Sequence, residues 1–138
     1  MYELMAGCWP TADGNPELPD YMREYSVIWK SKPKVVFSST LDRVDWNSRL
    51  ATMTVAEEVA TLKQRPDAVY SVGGATLAAS VIELGLVDEY WLYVSPVILG
   101  GGKPMFPRLH DAIRLRLAAT RTFRSGVVLL RYTKEAPG

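Results

Sequence analysis

The 138-residue chain has the length of one domain, and its 48% hydrophobic and 22% charged residues match globular proteins rather than disordered, fibrous or membrane ones. With 16 Lys and Arg against 15 Asp and Glu, it has no global field to draw it to nucleic acid or an acidic membrane, so any partner must be recognised locally. A single cysteine, Cys8, and a single histidine, His110, exclude an intrachain disulfide, serve a Cys/His zinc cluster or nucleophile poorly, and suggest a reduced thiol; no metal site is expected.

No apolar stretch approaches the length of a membrane span, and MYELMAGCWPT lacks a basic leader followed by an apolar core, so a cytoplasmic location is expected. MYELMAGCW reads as the end of a helix already in progress, interrupted by Pro10. TADGNPELP mixes turn formers and predicts a surface loop. From Asp20 to Trp29, the helical spacing of Tyr21, Tyr25, Ile28 and Trp29 predicts a short amphipathic helix ended by Pro33.

KVVFSS at 34–39 has the β-branched profile of a buried strand whose last residues emerge at an edge. In TVAEEVATLKQRP, Thr54 precedes Glu57 at capping-box spacing, and Val55, Val59 and Leu62 share one face. The next segment reads as a strand to Val72, two glycines, a helix to about Leu84 stopped at Gly85, and a strand to Val94. That order predicts a βαβ unit with parallel strands and a right-handed crossover. Large apolar residues on both faces of 90–94 predict a central, covered strand. Alternation from Ile113 to Phe123, the Ser125–Gly126 turn and VVLLRY predict a closing antiparallel hairpin.

Gly73 and Gly74 stand between a strand end and a helix start, where bare backbone N–H groups and the helix dipole suit a phosphate; a tight turn without a ligand reads equally well. Ser38, Ser39 and Thr40 would end a neighbouring parallel strand at the same sheet edge, although three hydroxyls after a strand also serve as a turn or cap. Together the two features suit a dinucleotide lying across that edge.

KVVFSSTL, WNSRL, TVAEEVATLK, VGGATLAASVIELGLVDEYWLYVSPVILGGGKPMF and the closing hairpin together resemble the dihydrofolate reductase superfamily, most closely bacterial riboflavin-type reductase domains. The resemblance runs from about Tyr2 to Tyr132. It implies one α/β domain over 1–138 with a three-layer αβα fold, a mostly parallel central sheet and a C-terminal antiparallel hairpin.

It also implies an NADPH-dependent oxidoreductase passing hydride to a small pterin-like or pyrimidine-like substrate, such as the phosphoribosylamino-uracil reductase of riboflavin biosynthesis. Ser38, Ser39 and Thr40, helped by Arg43, would hold the 2′-phosphate and adenosine end. Val72, Gly73, Gly74, Ala75, Thr76 and Leu77 would hold the pyrophosphate, and Pro96, Leu99, Gly100 and Gly101 would border the substrate.

Relatives often carry Arg where this chain has Ser39, which bears on the choice between NADPH and NADH. Cys8 and His110 receive no role, no proton donor is identified, and the tryptophans are assigned to core or dimer packing. The resemblance further implies a homodimer and a cis peptide between Gly73 and Gly74.

Met1 and Tyr2 fall on the Thr and Tyr of a GRxTYE-like motif, so the family's first strand, its phosphate-binding Arg and its pterin carboxylate are not in the sequence. Either the sequence is truncated or the chain has lost the reaction. The alternative reading is therefore a non-catalytic nucleotide-binding or structural dimer, and no efficient dihydrofolate reduction is expected.

Overall fold

A computed structural model of the chain describes residues 1–135. The chain divides into two compact units, Met1–Gly74 and Ala75–Gly138.

The first unit opens with α1 (Tyr2–Cys8), closed by the Trp9 N–H donating to the Met5 carbonyl at 2.9 Å. Pro10 ends it as expected, and a 3-10 turn at Ala12–Gly14 lies inside the predicted loop. α2 (Asp20–Ser31) forms where the periodicity places it, but its buried face differs. Tyr21 and Ile28 are exposed, and the inward stripe is Met22, Ser26 and Trp29. Ser26 tolerates full burial because its Oγ lies 2.5 Å from the Trp9 carbonyl and 3.1 Å from Asp13 Oδ1, so its proton always has an acceptor.

β1 (Lys34–Val36) pairs in parallel with β2 (Ser48–Leu50), with Lys34, Val35 and Val36 opposite Ser48, Arg49 and Leu50. The strand expected to reach Ser39 stops at Val36. Ser38 Oγ accepts from the N–H groups of Thr40 and Leu41 at 3.2 and 3.1 Å, which bends the chain out of the ladder.

α3 (Val55–Leu62) begins with the predicted capping box: Thr54 Oγ1 accepts from the Glu57 N–H, and Glu57 Oε2 accepts from the Thr54 N–H. The Thr54 hydroxyl, which also donates to Glu57 Oε2 at 2.7 Å, and the Thr54 N–H hold the Glu57 carboxyl below its usual range, the hydroxyl contributing most.

The second unit opens with α4 (Ala75–Glu83), which stops at Gly85 as the sequence predicts. Gly85 takes φ +68°, and the N–H groups of Gly85 and Leu86 return to the carbonyls of Ile82 and Val81. Three antiparallel strands follow: β3 (Glu89–Val94), β4 (Leu115–Thr122) and β5 (Val128–Lys134), in spatial order β3-β5-β4. The β4–β5 hairpin is the predicted one, with a register irregularity between Leu117 and Ala119 that breaks the strict alternation.

The α/β class and the closing hairpin stand as expected, while the parallel pairing is confined to β1 and β2. Residues 69–72 form no strand, so the βαβ unit is not completed and β3 pairs with β5 antiparallel. β3 is an edge strand rather than a central one, because β5 takes the centre between it and β4. Its Tyr90 is buried, whereas Trp91 and Tyr93 are about half-exposed on the other face.

The peptide between Gly73 and Gly74 is trans, against expectation, for no cis bond occurs among the described residues. Gly74 turns the chain instead by adopting φ +90°, a left-handed conformation open to glycine at little cost. Among the described residues, no helix is long and apolar enough to cross a membrane.

Candidate functional site

Two groups of predicted site residues lie in the first unit. Ser38, Ser39 and Thr40 are exposed immediately beyond β1. Ser38 Oγ organises the turn, accepting the two backbone N–H groups and lying 3.4 Å from Thr40 Oγ1. Its hydroxyl is thereby a turn cap, the alternative left open by the sequence, and it also keeps the Thr40 hydroxyl beside it. Arg43, three residues on, is engaged by Asp45 through Nη2 at 3.2 and 3.4 Å.

Asp45 was not singled out by the sequence, and neither was the residue that holds it. Tyr2 Oη accepts from the Asp45 N–H and donates to the Asp45 carbonyl, both at 2.9 Å. The Tyr2 ring lies 6.4 Å from Trp29, a buried core residue. The only sequence signal was the alignment of Tyr2 with the Tyr of the GRxTYE-like motif.

Val72, Gly73 and Gly74 close the first unit. A Cβ built on Gly73 would meet nothing within 4 Å, so the backbone there is open to close approach. At Gly74 the positive φ, rather than space, excludes a side chain, since an added Cβ would only touch Met1 at 3.4 Å. This bare pair suits a phosphate, as do the Ser38–Thr40 hydroxyls and the Arg43 cation, so the residues present fit the phosphates of a dinucleotide.

In the second unit, Ala75, Thr76 and Leu77 form the first turn of α4, whose leading N–H groups have no partner within the helix. Pro96 follows β3 and packs on the hairpin turn, its Cγ 3.2 Å from where a Gly126 Cβ would stand. Leu99, Gly100 and Gly101 lie exposed in the long loop between β3 and β4, with Gly100 at φ +72°. Cys8 and His110 are both exposed, and no His/Cys/Asp/Glu cluster suited to a metal occurs among the described residues.

An ion pair with one buried partner supports the first unit. Arg49 on β2 grips Glu58 on α3 with two hydrogen bonds of 2.7 Å, while the Glu58 side chain is wholly buried and that of Arg49 half-exposed. The guanidinium holds the Glu58 carboxyl below its usual range against the opposing effect of burial.

The sequence is 42% identical over 117 residues to the uncharacterised protein YyaP of Bacillus subtilis, covering 84% of this chain and 62% of YyaP. It is 37% identical over 71 residues to YwjB of the same organism, covering 51% of this chain and 41% of YwjB.

Among solved structures, a Shewanella sp. PV-4 protein provisionally assigned to riboflavin biosynthesis superposes with a TM-score of 0.68 at 21% identity, over 77% of this chain and 62% of its own. A pyrimidine reductase-like protein of Corynebacterium diphtheriae gives 0.52 at 19% identity, over 89% of this chain and 54% of its own. These likenesses show the fold, the dihydrofolate-reductase-like α/β arrangement, and the chain spans less than two thirds of each relative's length. The RibD C-terminal domain profile matches residues 4–129, a stretch that takes in most of both compact units, and the chain therefore belongs to the RibD C-terminal domain family.

Proposed function

We propose that the chain is an NADPH-dependent reductase of a small heterocyclic substrate, pterin-like or pyrimidine-like. The observation that carries the reading is the open Gly73–Gly74 backbone ahead of α4, in a chain of this family. When bound, the reduced nicotinamide supplies hydride to an electron-poor carbon of the substrate.

The chain's own residues bind and orient. Backbone N–H groups at Gly73, Gly74 and the first turn of α4 (Ala75, Thr76, Leu77) donate to the pyrophosphate, with Val72 flanking them. The hydroxyls of Ser38, Ser39 and Thr40, with the Arg43 guanidinium, meet the adenosine end. In the second unit, Pro96 anchors the loop bearing Leu99, Gly100 and Gly101, which would border the substrate.

The half-exposed aromatic face of β3, with Trp91 and Tyr93, favours a homodimer. A sedimenting species of twice the chain mass at micromolar concentration is expected.

The activity is tested by following NADPH absorbance with pyrimidine and pterin candidates. Substrate-dependent oxidation supports the reading. Cofactor binding without turnover of any candidate would favour a non-catalytic nucleotide-binding role instead.

A further inference from the structure

We propose that Asp45 is a specificity-determining residue for the adenosine end of the dinucleotide, weakening the preference for a 2′-phosphate by competing with it for the Arg43 guanidinium. The inference rests on the dinucleotide reading above.

The Arg43–Asp45 pair is loose and wet. Only Nη2 reaches the carboxylate, at 3.2 and 3.4 Å, and the two side chains are 82% and 62% exposed. A pair of this kind contributes little to stability, so a phosphate dianion, which Arg can meet with two parallel hydrogen bonds, can draw the guanidinium away.

The Asp45 carboxylate stays within one side chain's reach of its place, because its backbone is held from both sides. Tyr2 Oη occupies both main-chain groups of Asp45 at 2.9 Å, and the Tyr2 ring sits beside the buried Trp29. On the C-terminal side, Trp46 and Asn47 take left-handed φ values of 59° and 55°, and Asn47 Nδ2 donates to the Ser31 carbonyl at 2.7 Å. Two non-glycine residues persist in that conformation only where their surroundings enforce it.

Asp45 therefore carries its carboxylate on a held backbone in the loop that bears Ser38, Ser39, Thr40 and Arg43. A 2′-phosphate bound to this loop gains Arg43 but faces Asp45, whereas a ribose 2′-hydroxyl suffers no repulsion and can donate to a carboxylate. Serine at position 39 offers one hydroxyl where an arginine would offset the acid, so the balance rests on Arg43 and Asp45.

The test is calorimetric titration of the full chain and its Asp45→Asn and Arg43→Ala variants with NADPH and with NADH. Asp45→Asn should tighten NADPH by about three- to tenfold while leaving NADH unchanged or weaker, and the gain should shrink as salt is added. Arg43→Ala should weaken NADPH alone. Because both side chains are exposed, the thermal midpoints of the variants should match the parent, separating a change in recognition from a change in folding. If the parent binds both dinucleotides and Asp45→Asn shifts them equally or not at all, the inference fails while the cofactor reading stands. If the parent binds neither, both fail together.

Discussion

Arg49 and Glu58 form a bidentate pair, Nη1 to Oε1 and Nη2 to Oε2, that ties the second strand to the third helix from inside the first unit. Removing one partner of such a pair leaves an uncompensated charge out of water, whereas replacing both with apolar groups can be nearly neutral. Arg49→Met should therefore lower the urea midpoint more than the double change Arg49→Met with Glu58→Leu. Equal midpoints for the single and double variants would show that the pair is not a stabilising unit.

Glu89 gives the second unit an acid-side pH dependence. Arg131 donates to both its carboxylate oxygens at 2.9 and 2.7 Å and Trp91 Nε1 adds a third bond at 2.9 Å, which together hold its pKa at about 2 against the ordinary 4.5. The folded-state value is depressed, so its stabilising effect is fully present above about pH 4.5 and is lost as pH falls toward 2. Glu89→Gln should destabilise most near neutrality, and its difference from the parent should shrink steadily as pH falls from 4.5 through 2. A difference that stays constant across that window in urea titrations would contradict the assignment.

The hairpin turn should be intolerant of a side chain. Gly126 has φ +85°, and an added Cβ would stand 3.2 Å from Pro96 Cγ, so Gly126→Ala should cost about 1–2 kcal/mol in chemical denaturation. Shortening the neighbour with Pro96→Ala should recover only the part due to contact. An unchanged midpoint for Gly126→Ala would show that the turn relaxes freely.

How far the sequence revealed this structure depended on range. The Thr54–Glu57 cap, the Gly85 stop and the Gly126 hairpin are local devices, each encoded within a few residues, and each formed where expected. Strand pairing is non-local, and there the pattern misled: VYSV at 69–72 has the composition of a strand but no ladder, and β5 rather than β3 takes the sheet centre.

The burial of Glu58 was invisible because glutamate in an amphipathic helix reads as surface, and its partner Arg49 sits nine residues away on a strand. Ser26 was missed for the same reason, its acceptors lying on Trp9 and Asp13. At the candidate site, the hydroxyl run and the glycine pair were legible as residue types. The clamp of Tyr2 on Asp45 spans 43 positions, and no spacing rule connects them.

The proposed function sets a dinucleotide phosphate against bare backbone at Gly73 and Gly74, and Gly73 offers the most direct test of it. An alanine Cβ there meets no atom within 4 Å and Gly73 has no left-handed φ, so Gly73→Ala should fold with an unchanged thermal midpoint. In the proposed binding mode the same methyl would stand where the pyrophosphate approaches the backbone. Calorimetric titration with NADPH should therefore show saturable binding below millimolar concentration for the parent and at least about tenfold weaker binding for Gly73→Ala, a loss of roughly 1.4 kcal/mol. No saturation by the parent at millimolar NADPH, or equal affinity of the two proteins, would contradict the account.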